Sequence, residues 1–239
     1  MRFLLLLFSI VYFHSVFALH QKNTAIASSP MHVFLTEKTH DGDFTEAGLY
    51  PDAHTGADAF CQAEADQPGS ILQGHTWHAW ISTRTFGGDA KKIVDTTKLY
   101  AVQYYNNEYR IVNEPSAWLK WIPDAPDSRS GHYAGLLSPI NITQYGTLIQ
   151  DSNPVWTGTY GDGTAIITEG EDNTLFSACN NFTEHSYSNT NPKYQGAAGD
   201  MNQFISNWTF NPIKTPFGNG VTMYCNKLGH LYCFQSDQN

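Results

Sequence analysis

Four cysteines behind an apolar N-terminus constrain this chain of 239 residues more than any other feature. Met1 and Arg2 lead into a mainly apolar run from Phe3 to Tyr12, followed by His14, Ser15 and then Val16-Phe17-Ala18. One positive charge, a short apolar stretch and small residues at the cleavage point predict a secretory signal peptide over residues 1–18. The run falls short of the roughly 20 residues that a spanning helix needs, so no membrane insertion is expected. No cysteine follows the run to accept a lipid. The mature chain then starts near Leu19 in an oxidising compartment, where cysteines persist as disulfides. Cys61, Cys179, Cys225 and Cys233 therefore predict two bridges, with three possible pairings. No C-x-x-C pair is present, so the spacing does not suit a structural zinc site.

Aromatic residues make up 14% of the chain and charged residues 15%, a balance that supports a large core rather than disorder. The formal net charge is −9, and it becomes more acidic once Arg2 leaves with the signal. Such a field repels nucleic acid, other polyanions and anionic lipid surfaces, so no nucleic-acid partner is expected. Residues 19–30 read as a flexible leader and 31–239 as one domain, expected to be a monomer.

Along that domain the β-prone runs are short. Met31 to Thr36, Trp77 to Ser82, Tyr100 to Val102, Tyr109 to Val112, Pro154 to Gly158, Gly220 to Cys225 and His230 to Phe234 read as strands. One clear helix runs from a cap at Thr55 through Ala57, Phe60, Cys61, Glu64 and Ala65 to Pro68-Gly69. Ser116 to Trp121 fits a short helix, and Ile140 to Ile149 fits a strand and a turn at Gly146. Glu184 to Asp200, poor in apolar residues and rich in Asn, Ser and Gly, reads as a long surface loop. These elements predict an α+β domain of mixed short-stranded sheets, one or two helices and long loops.

Five segments in this order carry a resemblance. They are Gly56-Ala57-Asp58-Ala59-Phe60-Cys61-Gln62, Trp77 to Ser82, Val155 to Thr159 with Asp162-Gly163, Cys179 to Thr183, and Leu231 to Gln235. Together they resemble the leptospiral endostatin-like proteins and their bacterial relatives and, more distantly, endostatin itself. The likeness extends over about Val33 to Gln235, nearly the whole mature chain. It implies a C-type-lectin-like fold with nested bridges, Cys61 with Cys233 and Cys179 with Cys225. It also implies an exported adhesin-like, virulence-associated protein that binds extracellular-matrix or plasma proteins. The chain departs from that pattern in lacking a lipid-attachment cysteine, and from endostatin in lacking a basic face.

The chemistry-bearing candidates are weak. Calcium-dependent sugar binding needs complete oxygen-ligand triplets, and Glu114-Pro115-Ser116, Gln67-Pro68-Gly69 and Asn207-Trp208-Thr209 are each incomplete. Asp41-Gly42-Asp43 and Asp162-Gly163 read as turn formers. His20, His32, His40, His75 and His78, with Asp58, match no defined zinc spacing. There is no G-x-S-x-G; Ser128 to His132 shows no partner base, and Glu169, Glu171 and Asp172 read as a solvated acidic loop. No enzyme signature, cofactor or metal is therefore expected. The sequons at Asn141, Asn181 and Asn207 bear only on a eukaryotic secretory route. Most of the six tryptophans are expected in the core, with Trp118 and Trp121 beside a proline-rich loop as the exposed pair.

The expected role is recognition of an extracellular protein or glycan through loops at 184–216 and 115–131. Trp118, Trp121, Glu184, His185, Tyr187, Asn189 and Tyr194 are the residues expected to make contact. The alternatives are a secreted hydrolase with a site assembled from loop residues, or a structural envelope component.

Overall fold

A computed structural model describes residues 29–83, 88–120, 135–150, 154–166, 179–186, 195–203, 208–209 and 222–236. Its centre is a five-stranded sheet built from both ends of the domain. Strand β1 (Met31–Leu35) pairs antiparallel with the last strand, β8 (Tyr232–Gln235), placing Phe34 opposite Cys233. β2 (Trp77–Ala79) pairs with the other edge of β8, while β3 (Tyr100–Gln103) runs parallel to β1 and antiparallel to β4 (Tyr109–Ile111). The order is β2-β8-β1-β3-β4. A second sheet has the order β5 (Pro154–Trp156), β6 (Gln195–Asp200), β7 (Thr222–Tyr224). The architecture is mixed α+β, with few helices, two sheets and two disulfides.

Alternation along β1 divides the core, because successive side chains leave opposite faces of a strand. Phe34 enters a cluster with Trp77, Ala57, Cys61, Phe44 and Trp156. Val33 and Leu35 enter the other, with Trp80, Trp118, Trp208, Tyr232 and Phe234. Helix α1 (Ala53–Ala65) covers the first face. Its N-cap is Asp52 rather than Thr55: the Asp52 carboxylate accepts the Thr55 N–H at 2.9 Å and the Thr55 hydroxyl at 3.1 Å. Gly56 has to be glycine because a Cβ there would run into the Phe44 carbonyl. A second, one-turn helix, α2 (Ala90–Ile93), follows β2.

The structure joins Cys61 of α1 to Cys233 of β8 and Cys179 to Cys225. The first bridge ties the helix to the final strand across 172 residues of sequence. Among the described residues no helix is long and apolar enough to cross a membrane.

Two further expectations about secondary structure need correction. Residues 115–119 form turns rather than a helix, with Ser116 at φ 60°, and Trp121 at the end of the expected helix lies outside the described residues. More consequentially, the surface loop expected over 184–200 ends in β6, the central strand of the second sheet. Gly196-Ala197-Ala198-Gly199 is low in bulk because it lies against tryptophans. A Cβ on Gly196 would press on the Trp156 ring, and one on Gly199 on the Trp208 carbonyl. Poverty in large apolar residues therefore marks close packing here. Deleting 184–200 would therefore remove a core strand.

Candidate functional site

Trp118, expected at the surface, is 1% exposed. Its ring lies 5.1 Å from Trp80, 5.6 Å from Trp208 and 5.8 Å from Phe234. Its indole N–H donates to the Thr96 carbonyl at 3.1 Å. Once that donor has an internal acceptor, nothing opposes burial of so large a ring. Trp121, Tyr187, Asn189 and Tyr194 lie outside the described residues.

Glu184 is half-buried, and its carboxylate accepts the Ser186 N–H at 2.9 Å. His185 is exposed, with Nδ1 3.5 Å from the buried Asp43 carboxylate. Burial pushes the Asp43 pKa upward. Bonds from the Thr45 hydroxyl, the Ala47 and Thr45 N–H groups and His185 outweigh it and hold the carboxyl below the ordinary value. His185 thus docks on the 41–47 loop, next to the Asp43–Thr183 bridge, whereas the Glu184 bond is local. The turn just before them, Cys179 to Phe182, has φ between 44° and 70° at every residue, an unusual left-handed stretch.

The structure builds a more developed surface elsewhere. Tyr104, Tyr105, Asn106, Asn107, Glu108 and Tyr109 form the β3–β4 turn. Asn107, at φ 63°, donates its N–H to the Tyr104 carbonyl at 3.0 Å, and Tyr104 donates to Glu108 at 2.9 Å. The Gln103 side chain donates to the Asn107 amide oxygen at 3.1 Å. Tyr105 N–H in turn donates to Gly146 across to a second turn, 143–147. Gly146 sits at φ 74°, where a Cβ would strike the Tyr105 backbone, so the two turns are locked together. Behind them, the Arg110 guanidinium lies 5.7 Å from the Tyr104 ring and donates to Pro139 and Asn141 at 2.8 and 2.6 Å. On this support Tyr105 is 74% exposed, Tyr109 51% and Leu148 46%. The same network uses the Asn141 sequon side chain internally.

A third cluster carries titratable groups. His78 Nδ1 is 2.6 Å from one Asp58 carboxylate oxygen, and the other oxygen accepts the Ala79 N–H at 2.7 Å. That bond raises the His78 pKa against the opposing effect of burial. One turn earlier on α1, His54 contacts the Gly88 carbonyl and the Thr83 hydroxyl, each at 3.2 Å, and burial holds its pKa below the ordinary value. The arrangement clips α1 to β2 and leaves His78 Nε2 as the nitrogen not engaged by Asp58. Because the folded pKa of His78 is raised, its contribution is complete below the unfolded value near 6.5 and fades as pH rises through the folded value. The stability advantage of the wild type over His78→Asn should therefore shrink between pH 6 and pH 9 in urea titrations. Asp58→Asn should bring the His78 midpoint, followed by NMR, back towards 6.5.

His32 and His75 have ring centroids 5.6 Å apart and both contact Gln235, whereas His40 stacks on Phe44. Among the described residues no group of three His, Cys, Asp or Glu side chains could hold a metal ion. No protein-family model matches the chain, and no curated protein is significantly similar to it.

Proposed function

We propose that this chain is a secreted recognition module with a C-type-lectin-like fold, binding an extracellular protein or glycan through the Tyr105–Tyr109–Leu148 face. One observation carries the reading. Tyr105 and Tyr109 are more than half exposed on and beside a turn that is bonded through the Tyr105 N–H to the neighbouring turn at Gly146, with Leu148 exposed just past that second turn. Tyrosine offers broad amphipathic contact at low entropic cost, and the neighbouring Asn106 and Asn107 supply adaptable hydrogen bonding. A rigid support lowers the ordering cost of binding.

The lectin-like assignment is supported by the first and last strands lying side by side, the helix tied to the last strand, and the second bridge nested inside the first. Export is supported by the N-terminal pattern and the paired cysteines. A hydrolase is the second reading, favoured only by the Asp58–His78 pair.

The test is an array of matrix proteins, plasma proteins and glycans probed with the mature chain, with and without calcium and zinc. Retention of at least one ligand, independent of metal, is expected; no retention on any surface would refute the reading. Turnover of a model ester lost in His78→Asn would favour the hydrolase.

A further inference from the structure

His230 lies where the two sheets meet, and its surroundings suit one protonation state. On one side its N–H donates to the Pro154 carbonyl at 3.1 Å, and its carbonyl accepts the Trp156 N–H at 3.0 Å, holding β5. On the other side its Nδ1 lies 2.6 Å from the Thr36 carbonyl, just beyond β1. Leu231 reinforces that side, donating its N–H to the Thr36 hydroxyl at 2.9 Å and accepting the Thr36 N–H at 3.0 Å.

The residue is 3% exposed. With Nδ1–H donated to a carbonyl, the neutral ring carries its lone pair on Nε2, which is buried with no hydrogen-bond partner. A second proton would have to sit on Nε2 without an acceptor, as part of a buried charge.

Among the described residues the neighbouring segments offer no compensating acceptor or charge. Their ionisable side chains are Glu37, Lys38 and His40 beyond β1, Tyr224 and Lys227 before the joint, and Tyr232 after it. Lys38 is 3.0 Å from Glu64, and His40 lies 3.4 Å from Asp41 and 3.9 Å from Glu46. β5 has no ionisable side chain. Among the described residues, burial is the dominant influence on His230 and the Thr36 carbonyl the lesser; together they leave its proton affinity below that of ordinary imidazole.

We propose that His230 is an acid-sensitive joint: proton uptake at Nε2 parts β5 from the end of β1 and loosens the three-stranded sheet, while Cys61–Cys233 keeps the five-stranded sheet closed. This is independent of the tyrosine face. The sign follows from linkage. A histidine whose folded pKa is depressed leaves stability intact above the unfolded value near 6.5 and removes it as pH falls below.

The test uses the full disulfide-bonded chain. His230→Asn keeps a donor for the Thr36 carbonyl and cannot titrate; His54→Asn is the control for the other depressed histidine. Between pH 6.5 and 5.5, the wild-type folding constant from urea titrations should fall about fivefold more than that of His230→Asn. His54→Asn should retain that His230 component. In the wild type alone, hydrogen-exchange protection of the Trp156 and Leu231 amides should drop below pH 6 before that of Phe234 in β8. This second measurement decides the matter even if His230→Asn does not fold. Equal pH slopes in wild type and a folded His230→Asn, or protection at Trp156 no more acid-sensitive than at Phe234, overturns the proposal.

Discussion

Replacing Cys61 and Cys233 together by alanine should lower the unfolding free energy by about 5 kcal/mol. The bridge closes 172 residues of sequence, and in the chain-entropy model so long a loop removes much of the freedom of the unfolded chain. Both sulfurs are fully buried, so alanine, unlike serine, leaves no hydroxyl stranded in the core. A loss of this size rivals the whole stability of many domains, which lies at roughly 5–15 kcal/mol. Non-reducing urea titration measures it directly. Alanine at Cys179 and Cys225, which span 46 residues, should cost about 1 kcal/mol less, since the entropy grows only with the logarithm of loop length. Equal stability of wild type and Cys61→Ala/Cys233→Ala would mean that the long bridge does not constrain the domain.

Trp80→Ala is expected to cost about 3–5 kcal/mol. The side chain is fully buried, with ring centroids 5.1 Å from Trp118, 5.1 Å from Trp208 and 5.6 Å from Phe234. These rings come from distant parts of the chain, so alanine opens a cavity that no single element can collapse to fill. The indole N–H also donates to the Thr209 hydroxyl at 2.9 Å. Trp80→Phe should retain most of the packing and lose that bond, at a cost nearer 1 kcal/mol. Urea titration with near-ultraviolet circular dichroism separates the two variants. A loss below about 1 kcal/mol for alanine would show that the site collapses around the gap or that the cluster contributes little.

Patterns with a period were legible in the sequence. The alternation of Trp77 to Ala79 and of the terminal strands exposed the strands of the main sheet, and the spacing of Ala57, Cys61 and Ala65 exposed α1. The motif around Cys61 acquires a physical reading: Gly56 admits the Phe44 backbone, Asp58 clips β2 and Cys61 anchors β8. What was illegible depended on partners far away in sequence. β6 looked like a loop because its glycines and alanines make room for Trp156 and Trp208, a reason visible only in three dimensions. Trp118 looked exposed because proline-rich neighbours say nothing about the Thr96 carbonyl 22 residues away. The tyrosine face was present as Tyr-Tyr-Asn-Asn-Glu-Tyr, but its rigidity comes from the turn at Gly146.

The most direct test of recognition by that face compares wild type with Tyr105→Ala/Tyr109→Ala on the ligand that the array retains. Tyr105 projects from the turn and Tyr109 opens β4 with its ring 5.8 Å from that of His32, and both are more than half exposed, so the variant should unfold within about 1 kcal/mol of wild type. Its affinity should nevertheless fall at least about tenfold, the loss of more than 1 kcal/mol expected of interface anchors. Affinity unchanged in the folded variant would contradict the account.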